Sequence, residues 1–340
     1  MIIRSKAPLR LGLAGGGTDV SPYSDLYGGA VLNATVDLYA YATIEPLDGK
    51  RIQINSVDKE TEIELESSNV LDTDGTLDLV VGVYNRIVRD YNLKPLSFRL
   101  TTFVDAPAGS GLGSSSTLVT TVLGAFTEWL RLPLGEYDIA RLAYEIERND
   151  LGMAGGKQDQ YAATFGGVNF MEFYNNGKVI VNPLRVKDQV LNELSNNIIL
   201  FYTSTSRISS RIIEDQKKNV DNGITGSVEA MHKLKDLAVA MKEAILKGEL
   251  DKIGELLNLS WEHKKKMADG ITNDFIDEIY SEAIRAGATG GKVSGAGGGG
   301  FVFFYCPGTS RYRVIAALRK FGGHSRRYGF TRYGLETWTI

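Results

Sequence analysis

A glycine- and serine-rich segment is the first place where this sequence could do chemistry. Residues 105–116 are DAPAGSGLGSSS, and they follow an alternating strand pattern and open an apolar helix pattern. Glycines let a backbone approach a ligand closely, and the first turn of a helix offers unpaired N–H groups and a positive dipole. We therefore expect a phosphate-binding loop, against the plainer alternative of a flexible loop followed by a serine helix cap.

The sequence indicates neither of two common nucleotide-binding sites. A P-loop needs Gly-x4-Gly-Lys-Ser/Thr, but no Gly-Lys pair in this chain is followed by Ser or Thr. Residues 295–300 match the spacing Gly-x-Gly-x-x-Gly, yet they precede the strand-like residues 301–305 instead of opening a helix. The context of a dinucleotide-binding fold is therefore missing, and the phosphate loop belongs to another fold.

Glycines are concentrated around the segments that could bind ligands. The chain has 38 glycines in 340 residues, and eighteen of them lie in the four segments 12–17, 109–113, 152–156 and 287–300. Periodic apolar patterns flank these segments, whereas flexible glycine linkers have polar flanks. We therefore expect tight structural loops at all four places.

The elements that must position these loops are strands and helices in an irregular order. Strand patterns cover 7–14, 30–45, 97–104, 167–173, 178–181, 198–203, 301–306, 324–328 and 333–339. Helix patterns cover 76–92, 117–130, 137–149, 207–220, 226–247, 249–268, 273–286 and 311–321. Because the two do not alternate evenly, we favour an α+β fold over a doubly wound parallel sheet. The length and a break near 182–196 predict two domains, residues 1–190 and 191–340.

The composition excludes several classes of function. A net charge of −3, from 38 basic and 41 acidic residues, argues against a nucleic-acid surface. The single cysteine, Cys306, cannot form an intrachain disulfide, and three scattered histidines are too few for a zinc cluster. The start lacks the apolar run of a signal peptide, and no run approaches a membrane span. We expect a cytoplasmic protein without nucleic-acid or membrane partners.

Three motifs together resemble those of the GHMP kinases, the superfamily of galactokinase, homoserine kinase, mevalonate kinase and phosphomevalonate kinase. Residues 6–19 resemble the first motif, residues 106–116 the second (Pro-x3-Gly-Leu-x-Ser-Ser) and residues 292–300, KVSGAGGGG, the third. They occur in the family's order across nearly the whole chain. The resemblance implies a two-domain α+β fold, with a ribosomal protein S5 domain 2-like N-terminal domain and a ferredoxin-like C-terminal domain. ATP and substrate would bind in the cleft between them.

The resemblance also implies ATP and Mg²⁺ as the cofactors. The second motif would wrap the triphosphate with Pro107, Gly109, Ser110, Gly111, Leu112, Gly113, Ser114, Ser115 and Ser116. Ser115 aligns with the family's Mg²⁺-associated serine, and Glu147 lies where the family has its Mg²⁺-binding glutamate. From the residues alone, Glu147 would instead be a solvated carboxylate on a helix face, paired with Arg148 or Arg141.

The resemblance assigns catalysis to two residues. Asp159, in the segment GGKQDQY at 155–161, matches the galactokinase aspartate that accepts the sugar hydroxyl proton. Such assistance accelerates a reaction about 10²–10⁴-fold. The alternative from the residues alone is that Asp159 caps a helix. Arg10 matches the family's catalytic arginine, whose fixed charge would orient Asp159 and stabilise the transferring phosphoryl group.

The first motif carries the clue to the substrate. Galactokinases have Gly-Glu-His-Thr-Asp where this chain has Gly15-Gly16-Gly17-Thr18-Asp19. Thr18 and Asp19 match, which implies that a carboxylate for sugar hydroxyls is retained, whereas Gly16 and Gly17 remove two side chains and open space for a bulkier sugar. All four residues are expected at the substrate. Residues 11–19, LGLAGGGTD, resemble the bacterial D-glycero-D-manno-heptose 7-phosphate kinases. That resemblance implies phosphorylation of O1, giving the 1,7-bisphosphate for GDP-heptose and surface glycans.

A sugar phosphate also needs cations at its far end. The candidates are Lys157, Arg207 and Arg211, of which Arg207 is our first choice, and Gly295 and Gly297 are expected beside the substrate. Another GHMP sugar kinase such as fucokinase, or a non-catalytic sugar/ATP sensor on the same fold, remain open alternatives. The partners are expected to be a sugar phosphate and ATP, and the protein a monomer or a homodimer.

Overall fold

The computed structural model of the protein describes residues 1–204 and 209–340, and within these the strands form two sheets. The strands are β1 Ile3–Ala14, β2 Gly29–Pro46, β3 Arg51–Ser56, β4 Thr61–Glu66, β5 Phe98–Val104, β6 Val168–Phe173, β7 Val179–Pro183, β8 Ile198–Tyr202, β9 Gly290–Val293, β10 Phe301–Tyr305, β11 His324–Arg326 and β12 Glu336–Thr339. The helices are α1 Tyr23–Tyr27, α2 Asp78–Asp90, α3 Ser114–Leu130, α4 Glu136–Glu145, α5 Gln158–Phe165, α6 Asp188–Asn197, α7 Ser209–Asp221, α8 Thr225–Lys247, α9 Asp251–Lys264, α10 Asp274–Arg285 and α11 Ser310–Leu318. The part of the chain that is described has no helix with the length and apolar character needed to cross a membrane.

The first sheet is built around the long strand β2. One edge of β2 pairs with β1, while its other edge pairs first with β6 and then with β5. The path continues to β3 and β4, and only the β3–β5 pair is parallel. Strand β12 pairs with β1, so the chain returns to the first sheet at its end. The division into residues 1–190 and 191–340 stays a prediction, and this last strand crosses it.

The second sheet has the order β11-β8-β10-β9 and is buried on both faces. Successive side chains of a strand point to opposite faces. Phe301 and Phe303 accordingly pack into the larger core, which the first sheet shares with α2 and α3, while Val302 and Phe304 pack into a second core with Trp261. Two buried faces explain why residues 301–305 are apolar without alternation.

The elements predicted from periodicity are present, and the α+β architecture is confirmed. Helix α3 begins at Ser114 rather than at residue 117, because Gly113 adopts a left-handed φ of 79° and starts the first turn there. The predicted helix 137–149 becomes α4 followed by a π-helical turn, Ile146–Asp150. Strands β3, β4 and β9 and helices α1, α5 and α6 were not predicted; β9 lies inside a glycine cluster, where β propensity is low.

The glycine loops of the two sheets contact each other at Gly111 and Gly295. A Cβ added at Gly111 would lie 2.4 Å from the carbonyl oxygen of Ser294, and one added at Gly295 would lie 2.7 Å from the Cα of Gly111. Both residues have a left-handed φ. This close approach admits no side chain, so glycine is required for the two loops to meet.

We expect the variant Gly111→Ala to be less stable than Gly177→Ala. Gly177 has a comparable φ of 75° with open space around it, so alanine there costs only about 1–2 kcal/mol of backbone strain. Gly111→Ala adds the overlap with Ser294 to the same strain. Urea unfolding of both variants measures the difference; equal free energies of unfolding would show that the loops separate without cost.

Candidate active site

A cavity of about 690 Å³ lies between the glycine loops of the two sheets. Its wall comes from the first motif, the loop before α3, the segment 147–159, helix α7, the end of α9 and the residues after β9. Of the predicted phosphate loop, the residues that line the cavity are Gly109, Gly111, Gly113, Ser114, Ser115 and Ser116. The sequence-predicted loop therefore faces the cavity at the N-terminus of α3, where N–H groups are free to bind an anion.

Three residues of the predicted loop lie behind the wall and shape it. Leu112 is buried, and its carbonyl accepts a hydrogen bond from the Arg10 backbone N–H at 3.1 Å. The Ser110 carbonyl accepts one from the Phe301 N–H at 2.9 Å, which ties the loop to β10. Pro107 accepts from the Ser114 hydroxyl at 3.5 Å. These three carbonyls are engaged within the protein, and the prediction that Pro107, Ser110 and Leu112 bind ATP stays a prediction.

The buried Arg10 and the partly exposed Asp159 form an ion pair on the cavity wall. The Arg10 Nε and one Nη of its guanidinium both lie 2.7 Å from Asp159 Oδ1, and the other Nη donates to the Gly111 carbonyl at 2.6 Å. The second carboxylate oxygen, Oδ2, lies 3.2 Å from the position of a Cβ added at Gly113. The structure thus brings the two predicted catalytic residues together at the start of α3.

Asp19 holds the helix that carries Asp159. Its Oδ2 accepts hydrogen bonds from the backbone N–H groups of Lys157 and Gln158 at 2.9 and 3.0 Å, where α5 begins. Its Oδ1 accepts from the Gly17 N–H and from the Gln158 side-chain amide. The side chain is only 1% exposed, so its main bonds are within the protein. Asp19 therefore positions Asp159, and the helix cap that we had considered for Asp159 is supplied by Asp19.

Thr18 supports the first motif rather than the substrate. Its hydroxyl donates to the carbonyls of Gly15 and Ala30 and accepts from the Ala30 N–H. The residue is fully buried and lies behind the cavity wall. The prediction that Thr18 contacts the sugar is not borne out by this position.

The two glycines at the specificity position differ in their surroundings. A Cβ added at Gly16 would have the Gln158 amide nitrogen 3.7 Å away, so real space exists there. A Cβ added at Gly17 would lie 2.3 Å from the terminal methyl of Met267. Only Gly16 opens space for a substrate; the space beside Gly17 is filled by Met267.

Glu147 is buried rather than solvated. It lies in the π-helical turn after α4 and is 1% exposed. Its carboxylate accepts hydrogen bonds from Ser116 Oγ at 3.0 Å and from the Gln160 amide, and Arg148 lies 3.7 Å away. Burial raises its pKa above the ordinary value, while Arg148 opposes the rise. The alternative of a surface carboxylate is therefore wrong.

The surroundings of Glu147 fit a magnesium ion that is shared with a nucleotide. Mg²⁺ is usually held by one or two carboxylates together with substrate phosphates and water. Glu147, Ser115 and Ser116 offer hard oxygen donors beside the phosphate loop, and the buried Gln160 Oε1 has no hydrogen-bond partner among the described residues. The described residues contain no group of three His, Cys, Asp or Glu side chains that could hold a metal ion.

The three cations predicted for the substrate site differ in where they lie. The Lys157 ammonium binds Ser24 Oγ and Asp25 Oδ1, both at 3.1 Å, and lies outside the cavity wall. The prediction that Lys157 binds the sugar phosphate stays a prediction, which the pairing of its ammonium with Asp25 does not support. Arg207 lies outside the described residues, and Arg211 is exposed on α7. Gly295 lines the cavity, whereas Gly297 packs against the backbone of Ile271.

Two lysines in the cavity wall were missed by the sequence analysis. Lys264, at the end of α9, donates to the Gly295 carbonyl, and Lys292, on β9, donates to the Leu13 carbonyl at 3.1 Å. Burial and the charge of Arg10 lower the pKa of Lys264 to about 8. Burial and the charges of Lys264 and Arg10 hold the pKa of Lys292 well below its ordinary value. Lys264 sits in a run of three lysines, a pattern typical of solvated surface.

A carboxylate that an arginine fixes beside a phosphate-binding helix start is suited to passing a phosphoryl group from a nucleotide to a hydroxyl. The site and fold therefore define a small-molecule kinase with its active-site cavity between the two glycine loops. Comparison with known proteins narrows the class. The family model of the GHMP kinases N terminal domain matches residues 78–167, and that of the GHMP kinases C terminal domain matches residues 241–324.

The chain belongs to the GHMP kinase family and is a phosphotransferase with an alcohol group as acceptor. It is 51% identical to the D-glycero-alpha-D-manno-heptose 7-phosphate kinase of Campylobacter jejuni, over 99% of both chains. The crystal structure of a D-glycero-D-manno-heptose 1-phosphate kinase from Bacteroides thetaiotaomicron superposes with a TM-score of 0.85 at 48% identity, covering 99% of both chains. An L-fucokinase/L-fucose-1-P guanylyltransferase of Bacteroides fragilis is 26% identical over 89% of this chain and 34% of its own.

We expect Asp159→Asn to lose turnover about 10²–10⁴-fold while ATP binding survives, because an amide cannot accept the hydroxyl proton. Thermal stability should also fall, since the buried Arg10 loses its anionic partner. Initial rates and a nucleotide-binding titration, both below the unfolding temperature, measure the two effects. Asp269→Asn on the exposed surface serves as the control; wild-type turnover in Asp159→Asn would exclude the proposed role.

Proposed function

We propose that the protein transfers the γ-phosphoryl group of ATP to O1 of D-glycero-D-manno-heptose 7-phosphate, for GDP-heptose and surface-glycan synthesis in the cytoplasm. The observation that carries the proposal is the Arg10–Asp159 pair beside the phosphate loop, in a chain 51% identical to a kinase named for this substrate. Monomer and homodimer both remain compatible with a cavity built from one chain.

The proposed reaction uses the geometry as follows. Asp159 accepts the proton of the O1 hydroxyl as O1 forms its bond to the γ-phosphorus and the bond from phosphorus to the bridging oxygen of ADP breaks. Arg10 keeps the carboxylate in one orientation and adds a fixed positive charge beside the transferring group. The N–H groups at the start of α3 bind the remaining phosphates.

Mg²⁺, when bound with ATP, neutralises phosphate charge and so makes the γ-phosphorus easier to attack. Glu147 would hold it, with Ser115 or Ser116 as a hydroxyl ligand. The geometry favours Ser116 as the serine that orients Glu147, because its hydroxyl already donates to that carboxylate. Ser115 lines the cavity and keeps the role that the family motif assigns to it.

The space beside Gly16 supports a substrate larger than a hexose. Gln158 lies over Gly12 and Gly16, where galactokinases carry larger side chains at the neighbouring motif positions, and its Oε1 is buried with no partner among the described residues. An acceptor oxygen at this place can receive a hydrogen bond from a sugar hydroxyl. Gln216 of α7 also lines the cavity.

The names of the two similar kinases differ in the position of the phosphate. One names a heptose 7-phosphate and the other a heptose 1-phosphate. We propose the 7-phosphate as acceptor, because O1 then carries the free hydroxyl that Asp159 can deprotonate. Phosphorus NMR of the product distinguishes the two: a new phosphorus signal coupled to the anomeric proton is expected.

We expect ADP release with D-glycero-D-manno-heptose 7-phosphate to exceed that with fucose, mannose or mevalonate by at least about tenfold in kcat/KM. The reason is that binding energy from the phosphate is available to the first substrate only. A coupled ADP assay measures the four rates. Preference for fucose would favour a fucokinase, and ATP binding without any turnover would favour a sugar/ATP sensor.

We expect Glu147→Gln to raise the Mg²⁺ concentration for half-maximal turnover by at least about tenfold, with Glu136→Gln on the exposed start of α4 as control. The increase in Tm that Mg²⁺ and a nonhydrolysable ATP analogue produce should also shrink in Glu147→Gln.

The raised pKa of Glu147 gives a second readout. A carboxyl whose pKa is raised on folding stabilises the protein below its unfolded pKa and loses that contribution as pH rises through the folded value. As pH rises from the unfolded to the folded pKa of Glu147, wild type should lose stability that the variant keeps. A constant difference between their free energies of unfolding across that range would contradict the assignment.

A further inference from the structure

Lys264 and Lys292 are buried cations without a carboxylate partner among residues 1–204 and 209–340. They are 4% and 3% exposed, and each ammonium donates to a backbone carbonyl, Gly295 for Lys264 and Leu13 for Lys292. Lys157 provides the contrast, since it is also buried but pairs with Asp25 at 3.1 Å. An ammonium has three donors, so both lysines retain donors for another acceptor.

Both ammonium groups belong to the wall of the active-site cavity. The carbonyl that Lys264 binds is that of Gly295, which touches Gly111, and Gly111 in turn accepts from Arg10. The carbonyl that Lys292 binds ends β1, the strand that also carries Arg10. The two lysines therefore approach the Arg10–Asp159 pair from the side of the second sheet.

Two carboxylates near these lysines, Asp159 and Asp19, already have partners within the protein. Asp159 is bound by Arg10, and Asp19 accepts four hydrogen bonds at the start of α5 and in the first motif. Neither lysine has a carboxylate within ion-pair distance in the described part of the chain, although Asp19 acts on Lys264 from farther away. Burial of an unpaired ion carries a large desolvation penalty, which an anionic ligand would offset. Two such ions in a cavity wall favour the binding of an anion there.

We propose that Lys264 and Lys292 form a subsite for a phosphoryl group of the bound substrates and that Lys264 contacts that group directly. The proposal rests on the kinase function above and names the residues that replace Lys157 in substrate recognition. The α- and β-phosphates of ATP have the N–H groups at the start of α3. The phosphoryl group at Lys264 is either the phosphate of the acceptor sugar or the γ-phosphoryl group under transfer.

A tether between α9 and the third motif is the structural alternative for Lys264. The variants Lys264→Met and Lys292→Met separate the two, because methionine fills a similar volume without charge. A tether predicts lower thermal stability and unchanged binding of anions. The subsite predicts the reverse: the apo-protein keeps or gains stability because a buried unpaired charge is removed, while anion binding is lost. Lys266→Met, on the exposed face of the same lysine run, is the matched control.

Kinetics with two acceptors identify the source of the phosphoryl group. If it is the acceptor's phosphate, Lys264→Met lowers kcat/KM for heptose 7-phosphate about 10- to 100-fold and leaves kcat/KM for unphosphorylated heptose unchanged. If it is the γ-phosphoryl group, kcat falls by the same factor with both acceptors while their KM values hold. Lys264→Arg, which keeps the charge, should recover part of either loss.

Binding of inorganic phosphate makes the proposal independent of the substrate. Wild-type apo-protein should gain thermal stability with added phosphate, and Lys264→Met should lose that gain. If heptose 7-phosphate is not turned over but the phosphate effect depends on Lys264, the proposed acceptor is wrong and the subsite stands. Unchanged kinetics together with an unchanged phosphate effect in Lys264→Met would overturn the subsite.

Discussion

The ion pair between Arg10 and Asp159 is the contact on which the active site depends. Arg10 lies on β1 opposite Thr35 of β2, Asp159 lies in the first turn of α5, and the same guanidinium binds the carbonyl of Gly111 in the phosphate loop. Breaking a buried pair leaves an uncompensated charge, which is strongly destabilising. The strand, the helix and the loop are therefore held in one relation, and Asp19 secures it by binding the start of α5.

The glycine excess follows from the same requirement for close contact. At Gly156, an added Cβ would lie 1.9 Å from Asp19 Oδ2, and at Gly15 it would lie 1.9 Å from the Ala30 carbonyl. These glycines lie where protein meets protein, not where protein meets ligand. Several residues that resemble ligand-binding glycines thus serve to bring catalytic segments within hydrogen-bond distance. Gly16 differs from them, because a Cβ added there would make only an ordinary van der Waals contact, 3.7 Å from the Gln158 amide nitrogen.

Local signals in the sequence were sufficient for the phosphate loop and for the Arg10–Asp159 pair, since each belongs to a motif with fixed spacing. They were insufficient where the partner lies far along the chain and no recognised motif links the two residues. Lys157 looked like a free cation because Asp25, 132 residues away, cannot be paired with it from sequence. Lys264 looked like a surface residue because nothing local indicates that the end of α9 turns toward Gly295. Thr18 and Asp19 matched a ligand motif, yet their bonds to backbone groups became visible only once the first motif and α5 were placed together.

Charge at this site is set by burial rather than by composition. The chain is slightly acidic overall, with a formal charge of −3, but the cavity wall combines Arg10, Lys264 and Lys292 with Asp19, Glu147 and Asp159, which already form hydrogen bonds within the protein. In a region of low dielectric constant, each remaining positive charge acts more strongly on a phosphate than an exposed lysine would. Exposed charges of the opposite sign are screened by solvent within about 10 Å at ordinary ionic strength. A protein with a net negative surface can therefore bind two polyanionic substrates in one cavity, provided that the cations facing them are buried and those elsewhere, such as Lys157, are neutralised.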